Sequence, residues 1–583
     1  MSGNQKRGNR LLFHYLKPYW LTLIVLLAAL LAGAAVQLGL PRILGAFIDQ
    51  VLGGAGAATL ARLALSYLAL AGANQLLGLV IAYLGQNLAW KTTNALRADL
   101  FGHCLGLGLG FHNQRTPGEL IQRIDGDVGD LSNTLSQFSV RIFGNLLLLG
   151  GVLVMLSRTD WRIGAALAVF ALATLVVLQL TRSIAVPAHR EESETVARIA
   201  GYIEERLGGA HDIRSNGAVQ HVLNGLFLLG RRRLATISRS YFMGSLRWGI
   251  AMATLLIGNI LALGTGAWLY LAGRATIGTV YIIYNYTNML LDPLREISDQ
   301  LQDFQKASAA MARIQELFAL PPEPVGSSPA GEALPAGALP VELADLSFSY
   351  EDGTNALTGI TARLAPGRVL GVIGRTGSGK STLARLLVRF YEPSAGELRV
   401  GERDIRRVSL SDLRSKVALV TQEVQLFQAS VRDNVTLFDA AVSDDRITQA
   451  LAEVGLTAWL QSLPAGLDTR IASGGGGLSA GEAQLLAFAR VLLRDPGLVI
   501  LDEASSRLDP VTERLLDQAM VRLLKGRTAV VIAHRLATLE RVDDILVLEG
   551  GRVVEAGERA RLAADPQSRY GQLRRFGGEE LLA

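Results

Sequence analysis

The residues from Gly374 to Thr382 read GRTGSGKST and fit the spacing G-x-x-x-x-G-K-S. The glycines Gly374, Gly377 and Gly379 free the backbone to turn its N–H groups inward on phosphate oxygens. Arg375, Thr376, Ser378 and Thr382 complete the loop. Lys380 supplies a cation for β- and γ-phosphates, and the Ser381 hydroxyl is a ligand for Mg²⁺. An acidic pair stands further on. PGLVILDEAS reads as a buried strand that ends in Asp502 and Glu503. Asp502 is placed to hold Mg²⁺, directly or through water. Glu503, one residue on, can polarise a water in line with the γ-phosphate. VVIAH is another strand, ending in His534, whose imidazole can hydrogen-bond that phosphate.

These residues need particular elements to position them. RVLGVIG is an apolar strand running straight into the phosphate loop, and STLARLLVRFY is the helix leaving it. That strand-loop-helix context is what the motif requires, because the helix N-terminus adds its positive end to the same anion. VELADLSFSY alternates as a strand and opens the domain near Val341. Before it, PPEPVGSSPAGEALPAGALP at 321–340 has the composition of a linker. The expected division is therefore 1–320, 321–340 and 341–583.

The first 300 residues have another character. Half of the 583-residue chain is hydrophobic and 19% is charged, with a net charge of +5. Soluble proteins carry about 25% charge, so membrane segments are implied. Six candidate spans follow from a requirement of about 20 apolar residues: 21–46, 59–86, 138–157, 162–183, 249–272 and 276–299. Residues 9–19 have the pattern of an amphipathic helix on the membrane surface. Segments 87–137 and 184–248 are helical in pattern and rich in arginine, from Arg190 and Arg198 to Arg239 and Arg247. Positive charge stays inside, which puts both segments, the N-terminus and everything after 300 in the cytoplasm. Arg158, Arg162 and Arg274 are the exceptions outside. The fold class is a membrane α-helical domain of six transmembrane helices with long cytoplasmic extensions, plus an α/β P-loop NTPase domain. Cys104 is the only cysteine, which excludes an internal disulfide. The basic balance fits anionic lipid, since the arginines flank the apolar segments; no nucleic-acid partner is expected.

LSAGE at 478–482, just before the Asp502–Glu503 strand, completes a resemblance. With the P-loop, Gln422, Asp509 and His534 it has the order found in the nucleotide-binding domain of ABC transporters. TPGELIQRIDGDV at 116–128 and EERLGGAHDIRSNGA at 204–218 look like the two cytoplasmic loops of ABC exporters. DPL at 292–294 and ASAAMARIQELF at 307–318 look like the exit from their sixth helix. The chain thus resembles an exporter-type (type IV) half-transporter over nearly its whole length.

The resemblance implies ATP and Mg²⁺, with catalytic roles for Lys380, Glu503 and His534. It implies that Tyr350 stacks on adenine and that Gln422 touches Mg²⁺ beside Ser381 and Asp502. It implies that Ser479, Ala480, Gly481 and Glu482 cap the γ-phosphate held by an opposite chain, and that Asp509 organises the dimer contact. A multi-pass protein of the bacterial plasma (inner) membrane follows, exporting a hydrophobic or amphipathic drug, lipid or peptide. An importer of a metal chelate is the alternative for this fold. LSAGE departs from the usual LSGGQ: Ala480 adds a methyl, and Glu482 puts a negative charge where polyphosphate would sit. SGGGG at 473–477 lacks the usual acidic residue, and Arg507 replaces a small one. With the catalytic set otherwise complete, this asymmetry points to a heterodimer, a homodimer being the other possibility. Tyr281, Tyr284, Asn285 and Asn288 recur at helical spacing and make one polar, aromatic face, while Asp292 falls near the cytoplasmic mouth. Gln37, Asn74 and Gln75 are further polar positions in the spans.

Overall fold

A computed structural model describes residues 13–137, 142–322, 332–350, 352–502, 510–533 and 536–575. The chain divides into two compact units. One holds Met1–Cys104 and Pro117–Leu320; the other holds Leu105–Thr116 and Pro321–Ala583.

The first unit is all helix. A short 3₁₀ turn, Lys17–Tyr19, leads into α1 (Trp20–Leu52), followed by α2 (Ala57–Leu105). Next come α3 (Leu109–Gln114), which belongs to the second unit, α4 (Pro117–Ile121), a π-helical stretch Gln122–Asp127, and α5 (Val128–Gln137). Then follow α6 (Phe143–Thr159), α7 (Trp161–Gly208), α8 (Ala210–Ser215), α9 (Val219–Leu271) and α10 (Ile277–Ala319). Long helices dominate because backbone groups in hydrocarbon must be satisfied within their own segment. Asp160 breaks the chain between α6 and α7 and accepts the Arg162 N–H at 2.8 Å as the N-cap of α7. Pro41, Pro187 and Pro293 lie inside helices that continue through them.

Four helical stretches among the described residues are long and apolar enough to cross a membrane: Phe13–Leu52, Ala57–Leu105, Trp161–Thr181 and Val219–Leu271. Phe143–Thr159 is apolar but shorter. Helix α10 is outside that set, because tyrosines, asparagines and charges dilute its apolar residues. The expected cytoplasmic segment 184–248 consists of the unbroken continuations of α7 and α9 around the short α8. Segment 87–137 is less regular, since α2 ends at Leu105 and the π-helix interrupts the run. Leu38, Val152, Leu156, Leu167, Ile283 and Leu290 form the core where α1, α6, α7 and α10 meet.

The second unit is α/β. One sheet has the strand order β2-β1-β4-β5, from β1 (Val341–Ser349), β2 (Asn355–Leu364), β4 (Ala395–Val400) and β5 (Arg403–Asp404). The other has the order β10-β9-β3-β8-β7-β6. Its strands are β3 (Val369–Ile373), β6 (Val417–Val420), β7 (Leu498–Asp502), β8 (Thr528–Ile532), β9 (Asp544–Glu549) and β10 (Arg552–Glu558). Strands β9, β3, β8, β7 and β6 run parallel, and β10 pairs antiparallel to β9 at the edge. Strands β3 and β8 are buried at every position, as expected of a sheet covered on both faces. Helices α11 (Lys380–Leu387), α12 (Leu410–Lys416), α13 (Val431–Thr436), α14 (Asp444–Glu453), α15 (Thr457–Ser462), α16 (Ala480–Arg494) and α17 (Pro510–Leu524) supply the cover.

Candidate functional site

Parallel strands in an open sheet place ligands at their carboxyl ends. In the larger sheet Val372 of β3 pairs with Ile532 of β8, and Ile532 pairs with Asp502 of β7. Three neighbouring strands therefore end at one level. The phosphate loop follows the first and Asp502 closes the third. At about 4.8 Å per strand, the backbones of Asp502 and the loop's entry are about 10 Å apart. Two side chains reaching inward can close that gap.

Gly377 and Gly379 have φ of 82° and 100°, conformations that L side chains rarely adopt. At Gly379 a Cβ would also stand 2.7 Å from the Ala356 carbonyl oxygen. Gly379 then hands over to α11. Lys380 is 6% exposed, and its ammonium donates to the carbonyls of Gly374 at 2.5 Å and Arg375 at 3.1 Å. Burial lowers the Lys380 pKa, and the Asp502 carboxylate opposes that shift. Lysine and aspartate thus face one another across the strand ends. The Ser378 hydroxyl is buried without a hydrogen-bond partner among the described residues.

A charged ammonium folded over its own loop, an unsatisfied buried hydroxyl and a ring of glycine backbone fit a polyphosphate. The same donor set fits Mg²⁺: the half-buried Ser381 hydroxyl opens α11, and Asp502 ends β7. Bound there, Mg²⁺ would neutralise charge on the phosphates. Gln422 is exposed just after β6, the strand beside β7. Glu503, Arg507, Asp509 and His534 lie outside the described residues, as does Glu351 next to Tyr350.

A family model described as ABC transporter matches residues 357–506, and one described as ABC transporter transmembrane region matches residues 23–294. The chain belongs to the ABC transporter family. It is similar to an ATP-dependent lipid A-core flippase of Burkholderia pseudomallei, 30% identical over 558 residues, covering 95% of this chain and 93% of the relative. It is also similar to a putative ABC transporter ATP-binding protein, exp8, of Streptococcus pneumoniae, at 29% identity with 95% and 94% covered. A solved bacterial Atm1-family ABC exporter with ATP bound shares the fold, with a TM-score of 0.79, 24% identity, and 96% and 98% covered. A membrane region and an ATPase domain fused in one chain make this an exporter-type half-transporter by architecture. It is an ATPase that couples hydrolysis to transport and a multi-pass membrane protein.

In this ABC transporter the signature segment opens α16. Ser479 is the N-cap, and its hydroxyl accepts the Glu482 N–H at 3.2 Å. The Glu482 carboxylate returns to accept the Ser479 N–H at 2.7 Å and the Ser479 hydroxyl at 2.9 Å. This is a reciprocal capping box. The spacing S-x-x-E carries the signal for it, alongside the negative charge of Glu482. Ala480 is exposed and Gly481 is buried. In the loop before it, Gly474, Gly475 and Gly477 have φ of 68°, 78° and 96°, which accounts for the glycine run.

Tyr350 follows β1 directly, and its hydroxyl is 2.8 Å from the Thr382 hydroxyl in α11. Its ring meets Phe348 edge-on at 4.9 Å and Tyr391 at 5.4 Å. No motif marks Tyr391 in the sequence. Its hydroxyl also accepts the Asn113 amide of α3 at 2.9 Å. The signal was an aromatic residue just past the phosphate-loop helix, too common to stand out.

Proposed function

We propose that the chain is one half of an ATP-driven exporter of a hydrophobic or amphipathic substrate in a bacterial plasma membrane, with six spans and a cytoplasmic nucleotide domain. One observation carries this reading: Lys380, Ser381 and Asp502 converge at the ends of β3 and β7 in a chain whose other half is apolar helix. Lys380 and the loop amides hold the β- and γ-phosphates, while Ser381, Asp502 and Gln422 hold Mg²⁺. Tyr350 stacks on adenine. Glu503 polarises the attacking water, His534 senses the γ-phosphate, and Asp509 meets the partner. ATP binding closes two nucleotide domains on each other. Hydrolysis reopens them, and the membrane helices follow as a shift between two populations.

The partner in this reading is a different half-transporter. Its ordinary signature caps this chain's P-loop and makes the competent site, whereas LSAGE caps the partner's. Supporting this, the Ser479 donors are already taken by Glu482, whose charge opposes a phosphate. The test is ATP hydrolysis and vesicle transport by the chain, purified alone and together with whatever half-transporter accompanies it from its membrane. Glu503→Gln abolishes turnover of the pair, and Glu482→Gln changes it little. Vigorous hydrolysis by the chain alone refutes the heterodimer. Transport insensitive to ATP refutes the exporter.

A further inference from the structure

Helix α1 has a charge that its hydropathy conceals. From Leu21 to Pro41 it contains no charged residue, and Arg42 follows at once. At 1.5 Å per residue that run is about 31 Å long, the thickness of a bilayer core. Its inner end is marked by Tyr19 and Trp20, and the Lys91 ammonium lies over the Tyr19 ring at 6.0 Å, a pairing typical of the interface. Arg42 therefore stands at the outer edge of the hydrocarbon, where lipid headgroups begin.

The surroundings of Arg42 are built with a second helix, α10. Tyr286 of α10 is buried and donates its hydroxyl to the Leu38 carbonyl at 2.7 Å. The Arg42 guanidinium lies near that hydroxyl. Helices α1 and α10 approach closely at Gly45, where a Cβ would come 2.6 Å from Ile282. Those contacts set the register between the two helices. Tyr281, Tyr284 and Asn285 fall at the level of Arg42 and Gly45. The Asn285 amide donates to the Tyr281 hydroxyl at 3.0 Å.

Asp49, on the same face of α1 two turns on, is committed elsewhere. It accepts from the Thr276 hydroxyl at 2.7 Å and from the Gly278 N–H at 2.8 Å, tying α1 to the start of α10. Arg42 makes no ion pair among the described residues and is exposed. A guanidinium has five donors in a planar fork. The contact with Tyr286 leaves most of them free, and charge at membrane depth is costly unless something answers it.

We infer that α1 and α10 form a binding site for the anionic headgroup, phosphate or carboxylate, of a membrane amphiphile. Arg42 is its anion-binding residue, and the Tyr281, Tyr284 and Asn285 side chains are its neutral hydrogen-bonding rim. This narrows the substrate class and rests on the export reading.

The experiment is equilibrium binding of fluorescent phosphatidylglycerol and, separately, fluorescent diacylglycerol, which has neither phosphate nor carboxylate, to the full-length transporter in its native pairing. Arg42→Gln weakens phosphatidylglycerol binding about tenfold or more, the share of one charge-assisted contact, and leaves diacylglycerol binding as it was. Arg42→Lys recovers part of the loss, and Arg62→Gln, elsewhere on α2, has no effect. Tyr281→Phe gives a smaller loss in the same direction and serves if Arg42→Gln does not fold. Equal affinity of Arg42→Gln and the parent for phosphatidylglycerol overturns the site. So does dissociation of the two halves by Arg42→Gln, which would mean that a partner carboxylate answers the charge. Binding that follows Arg42 while ATP moves no lipid outward upholds the site and refutes export alone.

Discussion

Replacing Arg313 by methionine should destabilise the helical unit far more than replacing its partner, Asp127, by asparagine. Asp127 ends the π-helical stretch Gln122–Asp127, and its side chain is 3% exposed. Arg313 of α10 grips it with two hydrogen bonds, Nε to Oδ2 at 2.8 Å and Nη2 to Oδ1 at 2.5 Å. The Arg313 side chain is 43% exposed. The two deletions therefore leave different remnants. Arg313→Met strands a carboxylate away from water, at a cost of about 3–5 kcal/mol. Asp127→Asn frees a guanidinium that water already reaches, and loses only a charge-assisted bond, about 1.5–3 kcal/mol. For a body of this size about 2 °C accompanies each kcal/mol. Thermal unfolding of the purified transporter in detergent should then fall by about 6–10 °C for Arg313→Met and about 3–6 °C for Asp127→Asn. Equal shifts, or a larger loss for Asp127→Asn, would refute the assignment of the penalty to carboxylate burial.

Tyr350→Ala should weaken ATP binding by about 10–100-fold, the worth of one stacked base, whereas Tyr350→Phe, which loses only the hydroxyl bond to Thr382, should stay within a few-fold; titration with a fluorescent ATP analogue separates them. Lys380→Met should reduce ATP hydrolysis by about 10²–10³-fold, as removal of a preorganised charge contact does, measured as phosphate release. Acid should destabilise the α/β unit in part through Asp412. Burial alone would lift its pKa, but the Leu334 N–H and the Lys416 ammonium outweigh burial and hold it below the usual carboxylate value. A depressed folded pKa gives stability that is present above the ordinary aspartate pKa and is lost as pH drops through the folded one. Asp412→Asn should therefore flatten the melting curve of the α/β unit against pH on the acid side, and an unchanged slope would exclude Asp412 as a contributor.

Local chemistry made much of this protein legible from its residues. The phosphate loop needs glycine torsions and a following helix, and both are written within nine consecutive residues, Gly374 to Thr382. Buried parallel strands announce themselves as apolar runs such as LVIL before Asp502. The membrane half is evident because hydrocarbon tolerates so little else. Helix α10 shows where composition stops being decisive, since its polar residues dilute the hydropathy that marks its neighbours.

What depended on the fold were pairings between residues far apart in the chain. Strand order alone brings Asp502 to the level of the phosphate loop across β8. Asp127 meets Arg313, Tyr391 meets Tyr350 and Asn113, and Arg42 meets Tyr286 only once helices and strands have packed. Periodicity within a segment reports which face is apolar. It carries no information on which other segment will cover that face, because packing selects partners by shape and by burial of charge over the whole chain at once.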